Sequence, residues 1–538
     1  MAIMSRLTGL LADIALGLPR SAVPYEMRED VAVPMPDGVT LMANHYRPVG
    51  ADRPMPVVLI RVPYGRGGAY GNLFAAPLAR RGHQVFVQAT RGTFGSGGQF
   101  RPFTTEKDDG LATVAWLREQ PWCDGRIAMA GGSYFGHTQW AVAPYADPPL
   151  TCVAPHITSA NVTNRLFYEQ GTPSIHTALS WSAQIGRQEQ PGLLAGMPDP
   201  RVRTRVRRAL GRLPLQAVDV TVAGAPVPFW RDFVEHAQPG DEFWSQADHD
   251  GADLTRMPPV SMVTGWWDLF LRGNLADYTA LRAAGVPARL VVGPWLHGEP
   301  GELRTILQTD TVWLDHHLRG GPAPSGAPVR VHLQRADRWL EFQEWPPSGV
   351  RDQVWHLNDE GRLGLSPDSS AGRFTYDPAN PTPTVGGPML QPPGKQADNR
   401  IVEERPDVLV FTGPVLAAPV DVVGPVRASV NVRTSIPYAD VFVRLCDVDE
   451  KGVSRNVVDG IRRLTEFEGG TVGVELFPTA YRFRTGHRLR VQVSGGAFPR
   501  YARNMGTAEP FGVATAGRPC DFEVLHDGSH IVLPVLTD

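Results

Sequence analysis

Three residues far apart in this chain have the types and settings of an acyl-transfer site: Ser133, Asp268 and His297. A serine hydroxyl is a weak nucleophile at neutral pH. It needs a base to take its proton and a carboxylate to orient that base. Ser133 lies in the run AMAGGSYFGHTQW, residues 128 to 140. The residues before it, IAMA, are small and apolar, as a buried strand requires. Gly131, Gly132 and Gly136 add little bulk where strand and helix must pass closely. The strict nucleophile-elbow motif has glycine two places after the serine. Here Phe135 holds that place and the glycine follows at Gly136. Taken alone, the run also fits a serine in an ordinary glycine-rich turn.

Asp268 follows an apolar strand in VTGWWDLF, and His297 follows the next one in RLVVGPWLHGE. The order Ser, Asp, His is the one the elbow fold uses. Each residue also has a plainer reading: Asp268 as the cap of the next helix, His297 as a loop histidine bonded to backbone. The order and placement of all three favour the catalytic set. A tetrahedral intermediate would need oxyanion donors. One is the backbone N–H of Tyr134, at the start of a helix. The second comes from RVPYGRGG, either as a backbone N–H or as the phenol of Tyr64, which fits equally well as a wall residue.

Other polar residues near these runs invite competing readings. His137, four residues after Ser133, reads as a packing residue beside the serine, and His156 is a weaker competitor for the base. RGTFGSGG, residues 91 to 98, lacks the lysine and spacing of a phosphate loop. Its Arg91 is expected to brace the turn by pairing with Glu106, Asp108 or Asp109, with binding of a substrate carboxylate as the alternative. The acidic and histidine residues of DEFWSQADHD, 241 to 250, do not have a diagnostic metal spacing.

The elements that must position the serine, acid and base alternate in type. Residues 27 to 48 read as a hairpin turning at Asp37-Gly38, and MPVVLIRVPY as a buried strand. A helix near 71–81, the strand HQVFVQAT, a helix near 106–119 and the strand into Ser133 follow. The pattern predicts a parallel sheet covered on both faces, with sites at the carboxyl ends of its strands. Residues 145 to 241 break the rhythm with helices near 176–188 and 200–211 and with recurring aromatics. This is a helical insertion able to wall a pocket. Its basic stretch, including Arg207 and Arg208, reads as a solvated helix face. The rhythm returns at 258–270, with a helix near 271–284, the strand ARLVVGPW, a helix at 309–320 and the strand VRVHLQ. From about Asp352 short alternating strands predict an antiparallel sandwich. Residues 364 to 401, rich in Pro, Gly and Asp, read as a long surface loop.

The chain has 538 residues, 42% of them hydrophobic, enough for more than one domain. A formal charge of -3 gives no reason to expect a nucleic-acid partner. Four scattered cysteines form neither a metal cluster nor a disulfide framework. Asp13 interrupts the apolar stretch near the start, which makes a poor signal-peptide core and fits an amphipathic helix on the main domain equally well. The expectation is a cytoplasmic protein without a membrane span.

With VPYGR, RGTFGSGGQF, the stretch from EKDDGLATVAWLREQPWCDG to the serine run, GWWDLF and VVGPWLHG in place, the chain resembles the CocE/NonD hydrolases. These are related to the X-Pro dipeptidyl-peptidases and include alpha-amino acid ester hydrolases. The resemblance implies an α/β fold: an α/β-hydrolase core in residues 1–144 and 242–351, a helical cap at 145–241 and a C-terminal jelly-roll β-sandwich at 352–538. It implies Ser133 as nucleophile, His297 as base, Asp268 as its orienter, and Tyr64 with the Tyr134 amide as oxyanion donors. Phe270 matches a pocket-wall aromatic, and Phe167 and Trp230 are further wall candidates from the insertion. The departure at Phe135 is the family's own pattern. The implied substrate is a small-molecule ester, cleaved without cofactor or metal, with a bulky apolar group on one side. The same residues would serve an X-Pro peptidase or an amide acylase, for which a carboxylate such as Glu169 or Glu235 would read the substrate amine. A non-catalytic binding protein and a homodimer are further expectations left open.

Overall fold

In a computed structural model of the chain, the apolar runs become the central strands of one ten-stranded sheet. The structure describes residues 13–14, 16–18, 23–67, 69–189, 200–238, 240–390 and 394–537. The strands are β1 (Tyr25–Pro34), β2 (Thr40–Pro48), β3 (Met55–Val62), β4 (Gln84–Ala89), β5 (Cys123–Gly132), β6 (Cys152–His156), β7 (Val260–Trp267), β8 (Ala288–Leu296), β9 (Val329–Leu333) and β10 (Arg338–Phe342). Their order is β1-β2-β4-β3-β5-β6-β7-β8-β9-β10. The pairs from β4 through β9 are parallel, and the edge pairs β1/β2, β2/β4 and β9/β10 are antiparallel. β4 and β7 are buried at every residue, which is why they read as continuous apolar runs rather than alternating ones.

Helices cover both faces: α1 (Ala69–Ala79), α2 (Glu106–Arg118), α3 (Tyr134–Trp140), then α4 (Ile175–Ile185), α5 (Pro200–Leu210) and α6 (Pro228–Glu235) in the insertion, and α7 (Leu271–Ala283) and α8 (Pro300–Arg319) beyond it. β6 lies inside the stretch expected to be cap from residue 145. Its five residues are all buried and pair with β5 and β7, so the insertion starts after His156. α5 buries Val206, Ala209 and Leu210 and leaves Arg207 and Arg208 in solvent, as expected. Much of the N-terminal stretch lies outside the described residues. Asp13 is buried and pairs with Arg80 at 2.6 Å and Arg81 at 3.4 Å, beside the end of α1.

From Val350 the chain forms an all-β domain of twelve strands in one hydrogen-bonded network. The final strand, Cys520–Leu536, ties it together by pairing with Val350–Asn358, Ala371–Tyr376 and Arg427–Thr434. The segment 364–401 is therefore not one loop. Ala371–Tyr376 is a strand, and Leu390 and Lys395 turn inward toward the main sheet. The four cysteines are buried and free. Among the described residues, no helix is long and apolar enough to cross a membrane.

Candidate active site

Ser133, Asp268 and His297 stand at the carboxyl ends of β5, β7 and β8. The sheet order places β5, β6, β7 and β8 side by side, so the three ends open on the same edge. Ser133 sits between β5 and α3 with φ 58° and ψ −127°, a left-handed conformation that non-glycine residues rarely adopt. Its N–H donates to the His156 carbonyl at 3.0 Å, which pins the turn to the end of β6. A Cβ at Gly136 would lie 2.7 Å from Thr158 Cγ2 and 2.9 Å from the His156 oxygen, so α3 can cross β6 only on a glycine there. A Cβ at Gly131 would lie 2.5 Å from the Phe135 ring. The displaced glycine of the motif thus marks the crossing with β6, and Phe135 fills the space over Gly131.

The three side chains form one chain of hydrogen bonds. His297 Nδ1 lies 2.8 Å from Asp268 Oδ2, and His297 Nε2 lies 3.0 Å from Ser133 Oγ. A carboxylate only accepts, so Nδ1 carries the proton and Nε2 is left to accept from the serine hydroxyl. The other oxygen of Asp268, Oδ1, accepts from the Phe270 N–H at 2.7 Å in the turn just before α7, so the carboxylate is held from the backbone side and from the imidazole side and is not the helix cap. Donor atoms of Asp268, His297 and Glu302 lie within 4.8 Å of one another, the one grouping among the described residues able to hold a metal ion.

Tyr64 follows β3 and faces the same space. Its hydroxyl accepts from Trp181 Nε1 at 2.8 Å. Tyr134 is buried, and its phenol donates to Glu106 Oε1 at 2.7 Å while accepting from the Phe103 N–H at 3.0 Å. Burial, then the Glu106 charge, hold that phenol well above its usual pKa, and Glu106 is paired in turn with Arg61 at 2.9 Å. The Tyr134 side chain is therefore an anchor. Its backbone N–H lies in the first turn of α3, where the helix leaves its N–H groups without helical partners.

The sequence matches two family models: X-Pro dipeptidyl-peptidase (S15 family) over residues 37–299, and X-Pro dipeptidyl-peptidase C-terminal non-catalytic domain over 325–516. Cocaine esterase of Rhodococcus sp. (strain MB1 Bresler) is 32% identical over 580 aligned positions, covering 95% of this chain and 99% of that protein. The chain belongs to the CocE/NonD hydrolases of the S15 family. Its fold is shared with an aminopeptidase from a marine sediment archaeon, Thaumarchaeota archaeon, at TM-score 0.79 and 22% identity over 97% of this chain and 99% of that one. It is shared equally with an alpha-amino acid ester hydrolase, at TM-score 0.78 and 23% identity over 96% and 98%.

In this CocE/NonD chain, a pocket lies over Ser133 and His297. Phe270 and Phe167 are among its lining residues. Trp230 is not. It is fully buried inside the insertion, its indole N–H donating to the Leu215 carbonyl at 3.1 Å. α6 turns Phe229 toward Phe167 and Trp181 instead, with ring centroids 5.1 and 4.6 Å apart. Sequence reasoning missed Phe103, Leu166 and Leu390 as lining residues, while Trp181, one of the recurring aromatics of the insertion, lines the cavity. Trp181 falls on the predicted helix near 176–188, and its place on that face was the available signal. Leu390 comes from the all-β domain and gave none.

The remaining polar residues sort as follows. His137 reaches the cavity wall. Burial holds its pKa at about 4, so it is neutral, with Nδ1 3.4 Å from the Ser159 carbonyl. His156 is occupied by Asp310 at 2.8 Å. Arg91 braces its turn through Asp109 at 2.5 Å and Asp37 at 2.7 Å. Glu169 is buried. Its carboxylate accepts from Tyr501 at 2.9 Å and lies 3.5 Å from Arg272 and 3.8 Å from Arg500, so its charge is already balanced, and it is not among the residues lining the cavity. Glu235 is exposed and off the cavity. Among the described lining residues there is no carboxylate.

Proposed function

We propose that this chain is a serine esterase that works through an acyl-enzyme. The observation that carries the reading is the unbroken relay from Asp268 through His297 to Ser133 Oγ, at 2.8 and 3.0 Å, opening into an aromatic-walled cavity. In the first half, Ser133 Oγ bonds to the ester carbonyl carbon as its proton passes to His297 Nε2. The negative charge on the carbonyl oxygen meets the Tyr64 hydroxyl and the Tyr134 N–H. The bond to the alcohol oxygen breaks, and His297 returns the proton to the departing alcohol. In the second half, water adds to the acyl group as it gives a proton to His297. Ser133 leaves with that proton, and the acid is released. Every bond made and broken is accounted for by these residues, water and substrate.

The walls bear on substrate class. Phe103, Phe167, Trp181, Leu269 and Phe270 favour a bulky apolar acyl or alcohol group, and burial of one aromatic ring of that size gives about 1.5–3 kcal/mol. A substrate ammonium finds no carboxylate among the described lining residues, and Glu169 is already committed to Tyr501, Arg272 and Arg500. That supports esters of neutral acids over dipeptide amides carrying a free amine.

The test is release kinetics on matched aryl esters and X-Pro amides with the wild type and Ser133→Ala. Ester turnover that disappears in Ser133→Ala, with negligible X-Pro cleavage, is expected. Serine-dependent X-Pro cleavage as efficient as ester turnover would make the chain a peptidase. Equal rates in both proteins would remove Ser133 from the chemistry.

A further inference from the structure

The relay does not end at Asp268. Glu302, in the first turn of α8, is fully buried, and one of its oxygens lies in the same 4.8 Å group as Asp268 and His297. Its Oε2 accepts from the Gly298 N–H at 2.7 Å, the residue after His297. Its Oε1 reaches under β7 at Gly265, where a Cβ would stand only 3.1 Å from it, and finds no conventional partner. Two carboxyl groups are thus packed together without a cation between them. The charged groups facing Glu302 are Asp268 from the end of β7, and His297 and Glu299 from its own loop. The nearby ammonium of Lys395 is paired with Glu299 at 2.7 Å. Two like charges at this range repel strongly in a buried site, which favours the neutral form of one of them.

We propose that Glu302 is a neutral positioning residue: its carboxyl O–H donates to the Asp268 carboxylate while its carbonyl oxygen accepts from Gly298, tying the acid and the His297 loop together. This rests on the esterase reading above. Asp268 already accepts from His297 and from the Phe270 N–H. A third donor, from an acid with a proton to give, fixes the carboxylate in the plane that orients the imidazole. Burial, then the Asp268 charge, raise the Glu302 pKa well above the usual carboxylate range, in agreement with the neutral form.

A neutral donor can be replaced by a neutral donor. Glu302→Gln offers an N–H to Asp268 and a carbonyl to Gly298. It is expected to keep kcat within about 3-fold and to leave unmoved the acid limb of the kcat/KM profile, which reports protonation of His297. Glu302→Leu keeps the bulk and removes both hydrogen bonds. It is expected to lower kcat about 10- to 100-fold, with KM nearly unchanged. Ser133→Ala and a thermal melt run beside both variants. Loss of ester turnover in Ser133→Ala establishes the esterase reading independently, and the melt separates misfolding from mispositioning. If Glu302→Gln moves the acid limb to lower pH, Glu302 carries a charge in the native protein and the proposal is overturned. It is overturned equally if Glu302→Leu folds and turns over like the wild type, or if dialysis against a chelator abolishes activity, which would make Glu302 a metal ligand.

Discussion

Trp181 is where the insertion meets the chemistry. Its indole nitrogen has a single hydrogen and can only donate, so at 2.8 Å it fixes the Tyr64 oxygen as acceptor and turns the phenolic hydrogen elsewhere. If that hydrogen serves the oxyanion, Trp181 acts on catalysis without touching the reacting atoms. Trp181→Phe isolates the effect, because the aromatic contacts with Phe229, Phe103 and Tyr134, at centroid distances of 4.6, 5.4 and 5.9 Å, can be kept by a phenyl ring. The loss is one neutral hydrogen bond, about 0.5–1.5 kcal/mol. At 1.36 kcal/mol per decade this is about 2- to 13-fold in kcat. Tyr64→Phe removes the oxyanion donor itself and should cost about 10²–10³-fold. In the double variant Trp181 has nothing left to orient, so Trp181→Phe should add little to Tyr64→Phe. The assay is steady-state hydrolysis of one aryl ester by the wild type, both single variants and the double variant. If the two losses multiply in full, or if Trp181→Phe acts on KM alone, Trp181 is only a wall and the orienting argument fails.

Two further outcomes follow from groups away from the relay. His45, His83, His137, His176 and His249 are buried, and burial lowers their pKa values to about 4, 3, 4, 4 and 2 from 6.5. The unfolded chain binds protons at these residues near pH 6.5 and the folded one does not. Their contribution is therefore complete above that pH and is lost, at about 1.4 kcal/mol per pH unit for each group, as pH falls toward about 4 for His45, His137 and His176, about 3 for His83 and about 2 for His249. Urea midpoints should drop steeply between pH 7 and 5, and a flat profile would mean these histidines protonate in place. Glu169→Gln should lower stability by about 1–3 kcal/mol, because a buried hydrogen-bonded charge is lost while Arg500 keeps Asp459 at 2.6 Å and Arg272 keeps Glu475 at 3.2 Å as counter-charges. A folded variant with normal stability and altered preference for amine-bearing substrates would instead make Glu169 a recognition residue.

What could be read from the sequence follows a physical division. Ser133, Asp268 and His297 each end a buried strand and begin a turn, and those two signals are local, carried by a handful of neighbouring residues. The same locality made the hairpin at Asp37-Gly38 and the strand into Ser133 legible. The strand Cys152–His156 was lost in the aromatic insertion because five residues are too few to show a period, and its pairing partners lie in β5 and β7. Trp230 was misplaced for a related reason. Pattern shows that α6 has an apolar face, but not which of Phe229, Trp230 and Phe233 turns to the cavity and which to the insertion's interior.

The residues that hold the site in place are the least legible, because each works through a partner distant in sequence. Tyr134 is fixed by Glu106 and Phe103, Tyr64 by Trp181, and Asp268 lies against Glu302. The loop expected on the surface turns in to place Leu390 on the cavity wall and Lys395 on Glu299, beside the His297 turn. This gives the all-β domain two direct holds on the site, one on the pocket and one on the loop that carries the base. A substitution far out in that domain that loosens Leu390 or Lys395 should therefore reach the chemistry through the cavity wall or through Glu299 and His297, although no residue of the strand pattern there announces a catalytic part.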